Sequence, residues 1–182
     1  DSDHMMAISP DEGGTSRAVY LANVLGLDMG MFYKRRDYTQ IVDGRNPIVA
    51  HEFLGSSVEG KDVIIIDDMI SSGDSIIDVA TELKRRKAKR IFAAATFGLF
   101  TNGLDKFDKA YEEGIIHGIL TTNLIYQTPE LLSRPYYINC DLSKYIALLI
   151  DTLNHDGSIS SILSPNERIQ HVVQKYKNGE PI

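Results

Sequence analysis

Two adjacent carboxylates, Asp67 and Asp68, stand between a run of β-branched residues, Val63-Ile64-Ile65-Ile66, and a stretch of small residues, Ser71-Ser72-Gly73-Asp74-Ser75. Such an apolar run suits a strand buried on both faces of a parallel sheet, and Ile76, Ile77, Val79, Ala80 and Leu83 follow at a spacing that fits a helix facing it. A tight loop at a helix N-terminus aims backbone N–H groups and the positive end of the helix dipole at an anion, and Ser71, Ser72 and Ser75 add hydroxyl donors. A phosphate monoester is the natural guest. Asp67 and Asp68 are placed to accept from sugar hydroxyls, directly or through Mg²⁺, which takes oxygen ligands and keeps several waters. Phosphate on one side and a diol on the other describe a phosphorylated pentose. The same residues also suit a plain βα loop with Ser75 or Asp74 as its N-cap, so residue types alone leave both readings open.

The elements around this stretch bring other polar groups to the same place. Residues 5–9 read as a strand running into Pro10-Asp11-Glu12-Gly13-Gly14, after which Ala18, Leu21, Ala22 and Leu25 recur at helical spacing up to Gly26. Residues 29–33 read as a short strand that delivers Lys34-Arg35-Arg36 at its end. Open α/β sheets bind ligands at the carboxyl ends of their strands, so these cations and the acidic pair share one edge. Cations closing over a reacting phosphoryl group stabilise charge where it develops. Residues 34–50, which include Arg45 and Asn46, show no period and are expected to form a long, mobile catalytic loop.

Further strands are predicted over 62–66, 90–97, 115–121 and 136–139, and helices over 75–87, 103–113 and, strongly apolar, 141–153. Ser164-Pro165-Asn166-Glu167 has the spacing of a capping box with proline at the first helical position, predicting a terminal helix to about residue 176. Strands alternating with helices imply a three-layer α/β fold, a mostly parallel sheet with helices on both faces.

A chain of 182 residues with 43% hydrophobic residues fits one domain, here 1–182, with a substantial core. The net charge of −6 offers no basic footprint for nucleic acid or an anionic membrane surface, and no apolar run is long enough to span a bilayer. The lone Cys140 excludes an internal disulfide or a CxxC motif and is expected to be a small core residue; a cytoplasmic location is expected. Residues 55–62 match most of a nucleotide P-loop, but Asp62 stands where Ser or Thr is required and the stretch precedes a strand instead of following one. His4, His51, His117, His155 and His171 lack metal-site spacing. Lys84-Arg85-Arg86-Lys87 late in a helix reads as a solvated face.

The acidic pair and its Ser72-Gly73-Asp74-Ser75 loop resemble the phosphoribosyl pyrophosphate fingerprint of the type I phosphoribosyltransferases. Taken with Ser9-Pro10-Asp11-Glu12-Gly13-Gly14, Arg17-Ala18, Lys34-Arg35-Arg36 and Thr121-Thr122-Asn123-Leu124-Ile125, in that order, the chain resembles the C-terminal half of the ribose-phosphate pyrophosphokinase family over nearly all of residues 5–176. That family transfers the diphosphoryl group of MgATP to the 1-hydroxyl of ribose 5-phosphate. The resemblance implies Lys34 and Arg36 as loop cations stabilising the transferred group, with Arg45 and Asn46 as loop partners, and Asp11 as a Mg²⁺ ligand. It gives the ribose hydroxyls to Asp67 and Asp68, and the 5-phosphate to Ser71, Ser72, Gly73, Asp74 and Ser75. It further implies ATP and ribose 5-phosphate as partners, an N-terminal domain elsewhere, and a homo-oligomer, dimer or hexamer, in the full-length enzyme.

Three positions depart from the family pattern. Ser71 removes a carboxylate, Asp74 adds one beside the expected phosphate, and Phe97 replaces a common histidine. Two alternatives accompany the leading reading. A nucleobase phosphoribosyltransferase is disfavoured by the absence of an acid at position 71, and a non-catalytic regulatory homologue by the retention of Lys34 and Arg36.

Overall fold

The computed structural model describes the backbone of residues 4–36 and 48–181, and their side chains except at 34–36, 48–51 and 161. In chain order the elements are β1 (Met5–Ser9), α1 (Thr15–Leu25), β2 (Asp28–Arg36), β3 (Ile48–Leu54), β4 (Asp62–Ile70), α2 (Asp74–Arg85), β5 (Arg90–Gly98) and α3 (Asp105–Glu112). There follow β6 (Gly118–Thr122), α4 (Pro129–Leu132), β7 (Tyr137–Cys140), α5 (Ser143–Asn154), α6 (Ser160–Leu163) and α7 (Asn166–Asn178). The strands form one sheet in the order β3-β2-β1-β4-β5-β6-β7, parallel throughout except for the antiparallel β2/β3 pair.

The chain winds outward from β1 through α1 to β2 and β3, then returns to place β4 on the other side of β1. Right-handed crossovers therefore put α1 and α2 on opposite faces. The point where the winding reverses, between β1 and β4, is where a sheet of this type opens a crevice at its carboxyl edge. Register fixes which residues share a face: Met6 stands beside Val63 and Ile8 beside Ile65, and these pack with Ile76, Val79, Leu83, Ile91, Ala93 and Phe107 into the main core. Ile64 and Ile66, on the other face, are only half-buried, so β4 is fully covered on one face and not on both as the apolar run suggested. Ala18 and Ala22, the buried residues of α1, are small, which lets that helix lie close to the sheet.

Three sequence expectations are corrected, at residues 34–50, at the start of α7 and at Cys140, and the exposure of α5 is added to them. Residues 34–36 and 48–50 belong to β2 and β3, so the expected loop over 34–50 is strand at both ends. The apolar helix α5 forms, but none of its residues is buried, and Leu148, Ile150 and Leu153 are exposed. At α7 the N-cap is Pro165 with no side-chain cap bond, so the Ser164 capping box does not form. Cys140 is half-exposed at the end of β7 and is not a core residue. Among the described residues, no helix is long and apolar enough to cross a membrane.

Candidate functional site

The turn after β1 is built around its own backbone needs. Ser9, fully buried, donates its hydroxyl to the Asp11 carbonyl (2.6 Å), and Asp11 Oδ1 accepts the Gly14 N–H (3.0 Å). Gly14 is obligatory there, because a Cβ would lie 2.7 Å from Ser9 Oγ. The Ser-Pro-Asp-x-Gly-Gly sequence thus folds into a compact turn that starts α1 and sets Asp11 at the carboxyl edge of β1.

Arg17 follows in the first turn of α1 and reaches across the switch point to β4. Its Nη2 lies 3.4 Å from Asp67 Oδ1 and 3.8 Å from Asp68 Oδ1. Its Nε is buried without a hydrogen-bond partner, an unspent donor beside the acidic pair. Sequence reasoning gave Arg17 no role of its own. The signal was available: a cation in the first turn opposes the helix dipole, and α1 has no acid there to offset it.

Asp67 and Asp68 are strand residues, since β4 runs on to Ile70 and pairs with β5 as far as Ile70 against Gly98. Their environments differ: the Asp67 side chain is 19% exposed and that of Asp68 is 55% exposed. Burial, with the nearby Asp68 and Asp11 carboxylates, raises Asp67 above the ordinary carboxylate range. A hydrogen bond with Asp67, helped by Arg17, lowers Asp68. The two carboxylates accordingly titrate apart, Asp67 above Asp68, and their oxygens are placed to accept hydrogen bonds from a vicinal diol.

The loop from β4 into α2 is Ser71-Ser72-Gly73. Gly73, with φ +84°, is the N-cap of α2, and a Cβ on it would sit 2.2 Å from the Phe107 ring. Only glycine fits both the left-handed backbone and the contact with α3. The N-cap of α2 is thus Gly73 and neither Ser75 nor Asp74, and the Asp74 N–H makes only a long 3.5 Å contact with Ser72 Oγ. Asp74 pairs with Lys106 of α3 and accepts the Ser72 hydroxyl (2.8 Å); Lys106 first, then Ser72, holds its carboxyl below the ordinary range. Ser71 Oγ lies 3.4 Å from Thr101 Oγ1, and the Ser71 carbonyl accepts the Thr101 N–H (3.1 Å).

A cleft of about 280 Å³ opens beside the acidic pair and is lined by Arg17, Asp67, Ala94, Leu120, Thr122 and Cys140 among others. Its far wall is fixed by the end of β6. Thr122 donates to the Thr96 carbonyl (2.6 Å), while Asn123 donates to Asp141 (2.6 Å) and Ser143 (2.9 Å) and accepts the Leu142 N–H (2.8 Å).

Asp11, Arg17, Asp67, Asp68 and the 71–75 loop therefore meet at one edge. Lys34 and Arg36, described by their backbone, lie on β2 past Met31, the residue that pairs with Ser9 at the end of β1. Three to five residues of strand carry them roughly 10–17 Å beyond that level, on the same edge. Arg45 and Asn46 lie outside the described residues. Among the described residues no group of three or more acidic, His or Cys side chains gathers closely enough to hold a metal. The oxygen donors of Asp11, Asp67 and Asp68 suit a hard cation that binds through one or two carboxylates and fills its shell with water and ligand oxygens.

The phosphoribosyl transferase domain model matches residues 4–118. Relatives named ribose-phosphate pyrophosphokinase include one from Vibrio parahaemolyticus, 31% identical over 89% of this chain and 49% of its own length. Another, from Thermococcus kodakarensis, is 34% identical over 70% of this chain and 44% of its own. The crystal structure of phosphoribosylpyrophosphate synthetase from Mycobacterium smegmatis superposes with a TM-score of 0.70 at 25% identity, over 86% of this chain and 47% of that one. The chain spans about half the length of the curated relatives it matches.

Proposed function

Since the chain belongs to the phosphoribosyl transferase domain family, we propose that it carries the ribose 5-phosphate site and catalytic loop of a ribose-phosphate diphosphokinase. The reaction is transfer of diphosphate from ATP to the 1-hydroxyl of ribose 5-phosphate, giving phosphoribosyl pyrophosphate and AMP. The observation that carries this reading is the meeting of the strand-borne Asp67-Asp68 pair with the Gly73 loop at the start of α2, beside the switch point. The similarity to relatives named ribose-phosphate pyrophosphokinase supports the choice of reaction.

In this reading the N–H groups at the start of α2, with Ser71, Ser72 and Ser75, hold the 5-phosphate, and Asp67 and Asp68 hold the ribose hydroxyls. Arg17 keeps the two acids together and offers its buried Nε–H to an incoming oxygen. Lys34 and Arg36, on β2, stabilise the transferred group, with Arg45 and Asn46 as partners. Asp11 would hold Mg²⁺, which would supply charge neutralisation on the phosphates. The chain needs no nucleophile, because the attacking oxygen belongs to the sugar and the work is orientation and electrostatics.

The test is calorimetric binding of ribose 5-phosphate with Mg²⁺ to wild type and to Asp67→Ala/Asp68→Ala, followed by an AMP-release assay with ATP added. Binding lost in the double variant, with AMP released by the wild type, supports the reading. Equal binding by both proteins removes it.

A further inference from the structure

Asp74 places a carboxylate in the middle of a loop read as an anion site, one residue after the glycine N-cap of α2. Left to itself, that charge opposes a phosphate dianion. The structure shows what offsets it. Lys106, in the first turn of α3, pairs with Asp74, and the Ser72 hydroxyl donates to the other carboxylate oxygen (2.8 Å). Lys106 is delivered there by a rigid contact. Its neighbour Phe107 is buried and packs against Gly73, the Phe100 ring meets Phe107 edge-on at 5.1 Å, and Leu99 and Phe100 donate backbone N–H groups to the Ile70 carbonyl. The nearby Lys109 is engaged with Glu113 at 3.8 Å.

We propose that Lys106 is a positioning residue for phosphate recognition: it fixes the Asp74 carboxylate away from the anion and cancels its charge, so that a loop bearing an acid accepts a dianion. The inference rests on the reading of the 71–75 loop as the phosphate site. It is independent of the stability of the ion pair, which is exposed and contributes little to folding. What matters is the net charge presented to the ligand, neutral with both residues, positive without Asp74 and negative without Lys106.

That charge pattern gives a signature in binding. Ribose 5-phosphate is titrated calorimetrically, with Mg²⁺, into wild type, Lys106→Met, Asp74→Asn, the double variant and Lys106→Arg. One unit charge acting on a dianion across several ångström of aqueous dielectric changes affinity by about fivefold. Lys106→Met is expected to weaken binding by that factor, Asp74→Asn to tighten it by a similar factor, and the double variant and Lys106→Arg to return to within about twofold of wild type. A merely structural role makes both single variants weaker. That outcome, or an unaltered affinity in Lys106→Met, overturns the inference while wild-type binding keeps the phosphate site standing. Absence of binding by the wild type overturns both.

Discussion

Arg17 of α1 stands within 3.4 Å of Asp67 and 3.8 Å of Asp68 on β4, so a single cation couples the helix after the first strand to the acids of the strand beside it. The pair is partly exposed, and such pairs contribute about 0–1 kcal/mol to stability. Arg17→Met is therefore expected to fold normally, with a melting temperature within a few degrees of wild type. Its affinity for ribose 5-phosphate is expected to fall about tenfold, because two carboxylates then repel each other unattended. Calorimetry beside a thermal melt checks both halves, and a large loss of stability with unchanged affinity would reverse the assignment.

Gly73 and Gly60 separate two costs that glycine avoids. Both have positive φ, +84° and +73°, but only Gly73 has a neighbour in the way. Gly60→Ala meets nothing within 4 Å and is expected to cost about 1–2 kcal/mol, the strain of the left-handed conformation alone. Gly73→Ala adds the overlap with Phe107 and is expected to cost at least ~1–3 kcal/mol more. Urea unfolding of the two variants measures the difference, and equal costs would mean that α3 moves aside freely.

Asp67 works against the fold at neutral pH. Its proton is held more tightly in the folded than in the unfolded chain, where the ordinary value is 3.8. Its ionisation therefore opposes folding as pH rises past that value, and the penalty is complete once pH exceeds the raised folded value. Asp67→Asn removes the penalty. It is expected to raise stability near pH 7, to leave it unchanged near pH 3, and to weaken ribose 5-phosphate binding at both. A gain of equal size at the two pH values would point to packing instead of ionisation.

The Asp108 carboxylate holds α3 to the segment before β7, accepting from the buried Tyr136 hydroxyl (2.6 Å) and from Arg134 Nε and Nη2 (each 2.9 Å). Burial and the adjacent carboxylate push the Tyr136 phenol up, so its proton stays in that bond. Asp108→Ala strands the buried Tyr136 hydroxyl, while Arg134 keeps its bond to Glu130 (3.0 Å), and is expected to cost about 1–3 kcal/mol, read from denaturant midpoints. Tyr136→Phe, which removes the hydroxyl along with its need for a partner, is expected to cost less.

Lys34→Ala is expected to lower AMP release by about 10²–10³ while leaving the ribose 5-phosphate dissociation constant within about twofold, because a cation on the transferred group acts in the transition state. Loss of binding in parallel with activity would move Lys34 from the reacting group to the sugar.

Much of the site was legible because it is contiguous. The Ile64-Ile65-Ile66 run, the acids after it and the glycine before α2 lie within a dozen residues, and their types state their geometry. What stayed hidden comes from elsewhere in the chain. Lys106 lies more than thirty residues from Asp74, and nothing local in α3 marks it out. The ends of the 34–50 segment read as loop because Lys34, Arg35 and Arg36 break the apolar pattern, yet pairing with β3 keeps them extended. The apolar face of α5 announced a helix correctly, but periodicity cannot tell a covered face from an open one.

Because Asp67 and Asp68 are strand residues and Gly73 is wedged against Phe107, the surface proposed for the sugar phosphate is preformed. Encounter with a small anionic sugar then requires no ordering of these residues, and association proceeds at the rate of a preformed pocket. Changes at Arg17, Asp67 or Lys106 consequently appear as altered residence time, read in the dissociation rate while the association rate stays nearly constant.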